Sequence, residues 1–179
     1  MPTSAREGRD HFTNLLPTLN PFTVVDFGPG EGTYSILGRH LTPNAHWMAV
    51  EKFEPYVERY DLDQKYDTIM IGDMRDLVLE KYDVGIFGDV LEHLHENDAE
   101  QVIHQNAEWA SYLYISTPIV PAPQGPSHGN DAEAHLHDWT FERMTDLLNE
   151  LGVVHAWRGA IVGRWWVDLT FPHYNEENT

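Results

Sequence analysis

The 179-residue sequence predicts a three-layer α/β sandwich: a mostly parallel seven-stranded sheet covered by helices on both faces, with an antiparallel hairpin strand at the C-terminal end. Three observations predict it. Short β-branched and aromatic runs alternate with segments of helical period, which calls for parallel strands joined by crossover helices. Four of those runs stop at an acid: Asp26, Glu51, Asp73 and Asp89. The last two runs are separated only by a turn at Arg158-Gly159, too short for a crossover, so they pair in opposite directions.

Taken in order, Phe12, Leu15, Leu16 and Leu19 recur at helical spacing and mark a lead-in helix within residues 1–21, closed by Pro21. The first strand is Phe22 to Phe27, followed by a glycine loop and a helix from Thr33 to about His40. A turn at Pro43-Asn44 leads to the second strand, Trp47 to Val50, ending at Glu51, and Pro55 suits the first turn of the next helix. The third strand, Tyr66 to Ile71, and the fourth, Tyr82 to Phe87, each end in Gly-Asp. Val90 to Trp109 reads as helix, in one or two pieces, and Tyr112 to Ser116 as the fifth strand, stopped by Pro118. Residues 119–137 follow, with Pro121, Pro123, Pro126, Gly125 and Gly129; so long a loop inside a compact domain is usually functional, here as a lid. Thr140 caps a helix through Leu151, and Val153 to Trp157 and Ile161 to Phe171 form the hairpin. The whole chain, 1–179, is expected to be one domain.

Composition excludes several classes. There are no cysteines, so disulfides and thiolate chemistry are out, and any metal or base must be His, Asp, Glu, Ser or Thr. The net charge of −18, from 29 acids against 11 bases, argues against a nucleic-acid partner and for a small molecule. No apolar run reaches membrane-spanning length and Met1 to Asp10 lack the blocks of a signal peptide, so a cytoplasmic protein with no membrane partner is expected.

Val24 to Thr33 carries the main functional signal. An apolar strand ends in Asp26 and passes through Gly28, Gly30 and Gly32 into a helix. Glycines at alternate positions let a ligand approach the main chain, and free N–H groups at a helix start suit a negative or strongly polar group. Ligands in such sheets bind beyond the carboxyl ends of the strands, where the four acids are placed. The spacing G-x-G-x-G also differs from the G-x-G-x-x-G of NAD-binding folds.

On these residues the chain resembles a class I S-adenosylmethionine-dependent methyltransferase, with a Rossmann-like fold, from Phe22 to Phe171. The resemblance implies S-adenosyl-L-methionine as cofactor. Asp26, Gly28, Gly30 and Gly32 match the first motif. Glu51, with Lys52 beside it, matches the acid that grips the ribose, Asp73-Met74 the pair at the adenine, and Asp89 opens the segment after the fourth strand. It further implies methyl transfer to a small-molecule acceptor, at a hydroxyl. A catalytically inactive donor-binding or regulatory protein of the same fold is the alternative.

Hydroxyl methylation also needs a base. On a helix from Asp89, Glu92 and His93 stand three and four positions on and share one face, and His135 returns over the strand ends from the long loop. Glu92, His93 and His135 are thus the catalytic candidates. With Asp89 they resemble the metal-binding set of metal-dependent methyltransferases, including RNA 2′-O-methyltransferases, which implies Mg²⁺ or Mn²⁺. Those families have Glu where this chain has Asp89, and a basic surface that this chain lacks. Trp139, at the loop exit, is read as a pocket wall, and Tyr34 either covers the donor or packs.

Overall fold

A computed structural model of the chain describes residues 5–170. Its sheet has seven strands in the order β3-β2-β1-β4-β5-β7-β6. They are β1 (Thr23–Phe27), β2 (His46–Glu51), β3 (Thr68–Ile71), β4 (Tyr82–Gly88), β5 (Ala110–Pro118), β6 (Val153–Arg158) and β7 (Val162–Asp168). β1 to β5 run parallel, and β7 pairs antiparallel with both β5 and β6. The fold is therefore the one expected, a Rossmann-like sandwich with an inserted reversed strand. The expected end of the last strand at Phe171 lies outside the described residues.

Among the described residues five α-helices flank the sheet: α1 (Arg9–Leu19), α2 (Thr33–Gly38), α3 (Pro55–Arg59), α4 (Glu96–Ala107) and α5 (Phe141–Asn149). Strand side chains alternate between two cores, as a period of two requires. Val24, Val84, Ile86, Tyr114 and Trp166 pack with Phe12 and Leu16 of α1 on one face. Val25, Phe87, Leu113, Trp165 and Val167 pack with Val102 and Ile103 of α4 and Leu147 and Leu148 of α5 on the other. Thr140 caps α5 as expected, its hydroxyl accepting the Arg143 N–H at 3.1 Å. No helix among the described residues is long and apolar enough to cross a membrane.

The helical stretch expected from Val90 to Trp109 comes in two pieces, and its start differs. Val90 to Trp109 does not start as an α-helix at Asp89. Instead a 3₁₀ turn spans Leu91–His93, Leu94 and His95 are extended, and α4 begins at Glu96. Asp89 itself has φ +54°. The physical reason lies in the long loop, whose Leu136 and His137 N–H groups donate to the Glu92 carbonyl at 2.8 and 3.2 Å. That carbonyl is then lost to a helical ladder, and the loop is fastened to the turn instead.

Candidate active site

Neighbouring strands β1 and β4 send their chains to opposite sides, toward β2 and β5, which opens a crevice beyond their carboxyl ends. A cavity of about 890 Å³ fills that crevice, at the upper end of the range for small-molecule sites. Gly28, Gly30, Glu51, Lys52, Asp73, Met74 and Asp89 all line it, as do Glu92, His93 and His135.

The glycine loop reaches the cavity through its backbone. Gly28, Gly30 and Gly32 have φ of +62°, +53° and +79°. A Cβ on Gly28 would stand 2.5 Å from Cγ2 of Val90, so any side chain there is both strained and obstructed. Two of the loop N–H groups are already engaged. Gly28 N–H donates to the Val50 carbonyl at 2.9 Å and Gly32 N–H to that of Pro29 at 2.8 Å. At Gly28 and Gly30 the loop offers the cavity close approach to its main chain.

Two of the expected cofactor residues lie off the cavity wall. Asp26 sits inside β1 between Ala49 and Ile86, buried, with the Tyr66 hydroxyl donating to Oδ2 at 2.6 Å. Burial pushes its carboxyl up to about 7. Gly32 is covered by the stem of Lys65, whose ammonium donates to the carbonyls of Glu31 and Tyr60. Both residues shape the loop from behind.

At the end of β2, buried Glu51 accepts the Phe53 N–H at 2.7 Å. Burial pushes its carboxyl up to about 7, opposed by that hydrogen bond. Asp73 is held well below the usual carboxylate range, first by Arg75 and then by Lys52. Arg75 donates to Oδ1 through its N–H and Nε at 3.1 and 3.0 Å, and to Oδ2 at 2.6 Å, while Lys52 pairs with Oδ2 at 2.9 Å. Four donors already occupy the carboxylate expected to hold an adenine amino group.

Across the cavity, one ligand atom each from Glu92, His93 and His135 lies within 4.8 Å of the others. The two imidazole rings meet edge to face, 4.8 Å between centroids. Glu92 is buried and accepts the Thr117 hydroxyl at 3.1 Å. Burial pushes its carboxyl well above the usual range, and Asp89 adds to this. His93 Nδ1 lies 3.2 Å from the Ala134 carbonyl, which can only accept, so in the neutral ring the lone pair is on Nε2. Burial, with His135 beside it, lowers the His93 pKa to about 4 and keeps it neutral. His135 is placed by its own N–H, which donates to the Gln124 carbonyl at 2.9 Å.

Asp89 does not join this group. Its left-handed backbone turns the carboxylate to the Ser116 hydroxyl at 2.8 Å and the Ala5 N–H at 3.1 Å. Helical spacing grouped it with Glu92 and His93, and there is no helix at Asp89 to enforce that spacing. Two aromatic expectations are settled as packing. Trp139 is buried in the α4/α5 core rather than walling the cavity. Tyr34 lies behind Gly88, where a Cβ would collide with its ring, and its hydroxyl accepts from Arg164 at 2.9 Å.

Sequence reasoning missed Glu133 and Arg164. Glu133 is buried on the cavity wall, with Oε1 taking the Tyr56 hydroxyl at 3.0 Å and Oε2 without a partner among the described residues. It sits in an aperiodic loop and carries no motif. Arg164 is fully buried in β7 and donates to the Tyr34 and Tyr114 hydroxyls and to the Ala5 and Glu7 carbonyls, at 2.6 to 2.9 Å. A charge at an inward position between apolar neighbours was the available signal.

No protein-family model and no curated protein matches the chain. Solved structures do. The N-terminal domain of EvdMO1 with SAH bound superposes with a TM-score of 0.67 at 14% identity, over 92% of this chain and 82% of that one. Magnesium protoporphyrin IX methyltransferase (ChlM) from Synechocystis PCC 6803, with bound SAM, gives 0.62 at 20% identity, over 89% and 76%. An O-methyltransferase family protein from Burkholderia thailandensis gives 0.63 at 15% identity over 89% of this chain; the match spans 55% of that longer protein. The fold is that of the class I S-adenosylmethionine-dependent methyltransferases.

Proposed function

We propose that this protein is an S-adenosyl-L-methionine-dependent methyltransferase that methylates a small molecule at a hydroxyl. One observation carries the proposal: one cavity at the β1/β4 switch point is lined by glycine backbone, by buried Glu51 and by the Glu92-His93-His135 group. The fit to the donor rests on Gly28, whose Cβ would fill the approach, and on a carboxylate at the end of β2 suited to two ribose hydroxyls. Gly28, Gly30, Glu51, Lys52, Met74 and Asp89 are the proposed donor contacts, while Asp73, its carboxylate already occupied, holds Arg75 and Lys52 at the wall. When bound, the donor supplies an electrophilic methyl on sulfur. The protein's task is then to align the acceptor and take its proton. His93 Nε2, neutral and with its lone pair available, is the proposed base, and His135 at its edge orients the hydroxyl.

A catalytically inactive donor-binding protein of this fold is the rival. Incubation with labelled methyl donor and a panel of alcohols and phenols separates the two. Label in an acceptor product, lost in His93→Ala, supports the enzyme, whereas donor binding without transfer to any acceptor supports the rival.

The proximity of the three ligand atoms favours a second form of the same reading, in which Glu92, His93 and His135 hold Mg²⁺ or Mn²⁺. The donor set fits: a carboxylate with two imidazoles, and His93 Nδ1 anchored to a carbonyl as ligating histidines usually are. Such an ion lowers the pKa of a bound hydroxyl. Chelator treatment followed by Mg²⁺ or Mn²⁺ decides it: activity lost and restored supports the metal, and activity untouched supports histidine alone. For RNA as acceptor the charge of −18 is adverse, and the two Lys/Arg side chains on the described cavity wall, Lys52 and Arg75, are both paired with Asp73.

A further inference from the structure

We infer that the acceptor is an uncharged, apolar-bodied alcohol or phenol, gripped by Val120, Leu136 and Ile161 at the cavity mouth. The inference rests on the methyltransferase reading above and narrows its substrate class. These three side chains remain 38%, 50% and 55% exposed, and all three line the one cavity. Isolated exposed apolar residues are ordinary, but three from separate segments converging on one opening are not. Val120 follows β5, Leu136 belongs to the long loop, and Ile161 sits in the β6–β7 turn.

The mouth is built rather than loose. The Ile119 N–H donates to the Ile161 carbonyl at 3.0 Å, which brings Val120 beside Ile161. The Ile161 N–H is itself held by the Glu7 carboxylate at 3.2 Å. Leu136 is fixed by its N–H to the Glu92 carbonyl at 2.8 Å, directly beside the Glu92-His93-His135 group. An apolar body on these side chains therefore leaves its hydroxyl at the imidazoles.

Charge narrows the class further. The same cavity is lined by buried Glu92 and Glu133, the latter with one oxygen unpartnered among the described residues. The lysine and arginine of the described wall are spent on Asp73. A carboxylated acceptor would therefore find no free lysine or arginine on the described wall to meet its charge. A free sugar has no apolar body to cover Val120, Leu136 and Ile161, and so gains little from these three side chains.

Calorimetric titration tests this on the intact protein saturated with S-adenosylhomocysteine, using naphthol, the same ring carrying a carboxylate, and glucose. Naphthol is expected to bind, the carboxylated ring about tenfold or more weaker, and glucose weaker still. Ile161→Asp and Leu136→Asp should each weaken naphthol about tenfold while S-adenosylhomocysteine binds as before, which also shows that these surface variants are folded. Glucose or the carboxylated ring binding as tightly as naphthol, no naphthol binding at all, or naphthol binding indifferent to both substitutions would overturn the inference. Failure of the donor reading is seen separately, as absence of S-adenosylhomocysteine binding in the first titration.

Discussion

Burial pushes the Asp26 carboxyl up to about 7, against the pull of the Tyr66 hydroxyl. Its ordinary value is 3.8, so between pH 3.8 and about 7 the folded chain keeps a proton that the unfolded chain has released. Stability is then fully present at low pH and falls as pH rises through that window, by up to about 1.4 kcal/mol per pH unit for one group. Glu51, raised from 4.5 to about 7, acts in the same direction. Asp26→Asn should flatten the decline by about that single-group slope, which urea denaturation of the ligand-free protein at pH 5, 6 and 7 measures; an unchanged slope contradicts it. His135→Ala belongs to the same scale. Its imidazole lines the cavity beside His93 and is not among the proposed donor contacts, so turnover should fall roughly 10²–10⁴-fold while donor affinity stays put. Parallel loss of donor binding would contradict the assigned place of His135.

Among the elements, the segment before α1 does more than lead in. Arg164 holds the Ala5 and Glu7 carbonyls, and the Glu7 carboxylate accepts the Ala160 and Ile161 N–H groups at 2.8 and 3.2 Å. The segment thus closes one side of the cavity, with Ala5 on the wall and its N–H on Asp89. Arg164→Met strands two carbonyls and two hydroxyls around an apolar side chain, and should cost roughly 2–5 kcal/mol. Hydrogen exchange at Ala5 and Ile161 should rise more than in β1, and uniform change across both would deny the clasp. The strands were legible because their pattern is local: β-branched runs, Gly-Asp ends and a short final turn. The start of α4 was not, because the Glu92 carbonyl is claimed by Leu136 and His137, more than forty residues on. For the same reason Glu92, His93 and His135 were found by type and chain order, whereas Asp89 was misgrouped by a helical period that the backbone does not adopt, and Glu133 had no local pattern to betray it.

At the scale of the molecule, 29 acids against 11 bases make the compact state repel itself. Screening shortens from about 30 Å at 0.01 M salt to about 8 Å at 0.15 M, so the denaturation midpoint should rise over that range; a midpoint that falls would contradict the account. The same charge, with the cavity's Lys52 and Arg75 already paired, would oppose a polyanion and is compatible with the proposed small neutral acceptor and cationic sulfonium donor. That donor is the centre of the account, since the glycine backbone, the β1/β4 crevice and the positions of Glu51 and His93 are all explained by it. Isothermal titration of the folded protein with S-adenosylmethionine and S-adenosylhomocysteine tests it most directly. The account predicts one site for each, weakened by Gly28→Val and by Glu51→Ala, and absence of heat with either ligand from folded protein would contradict it.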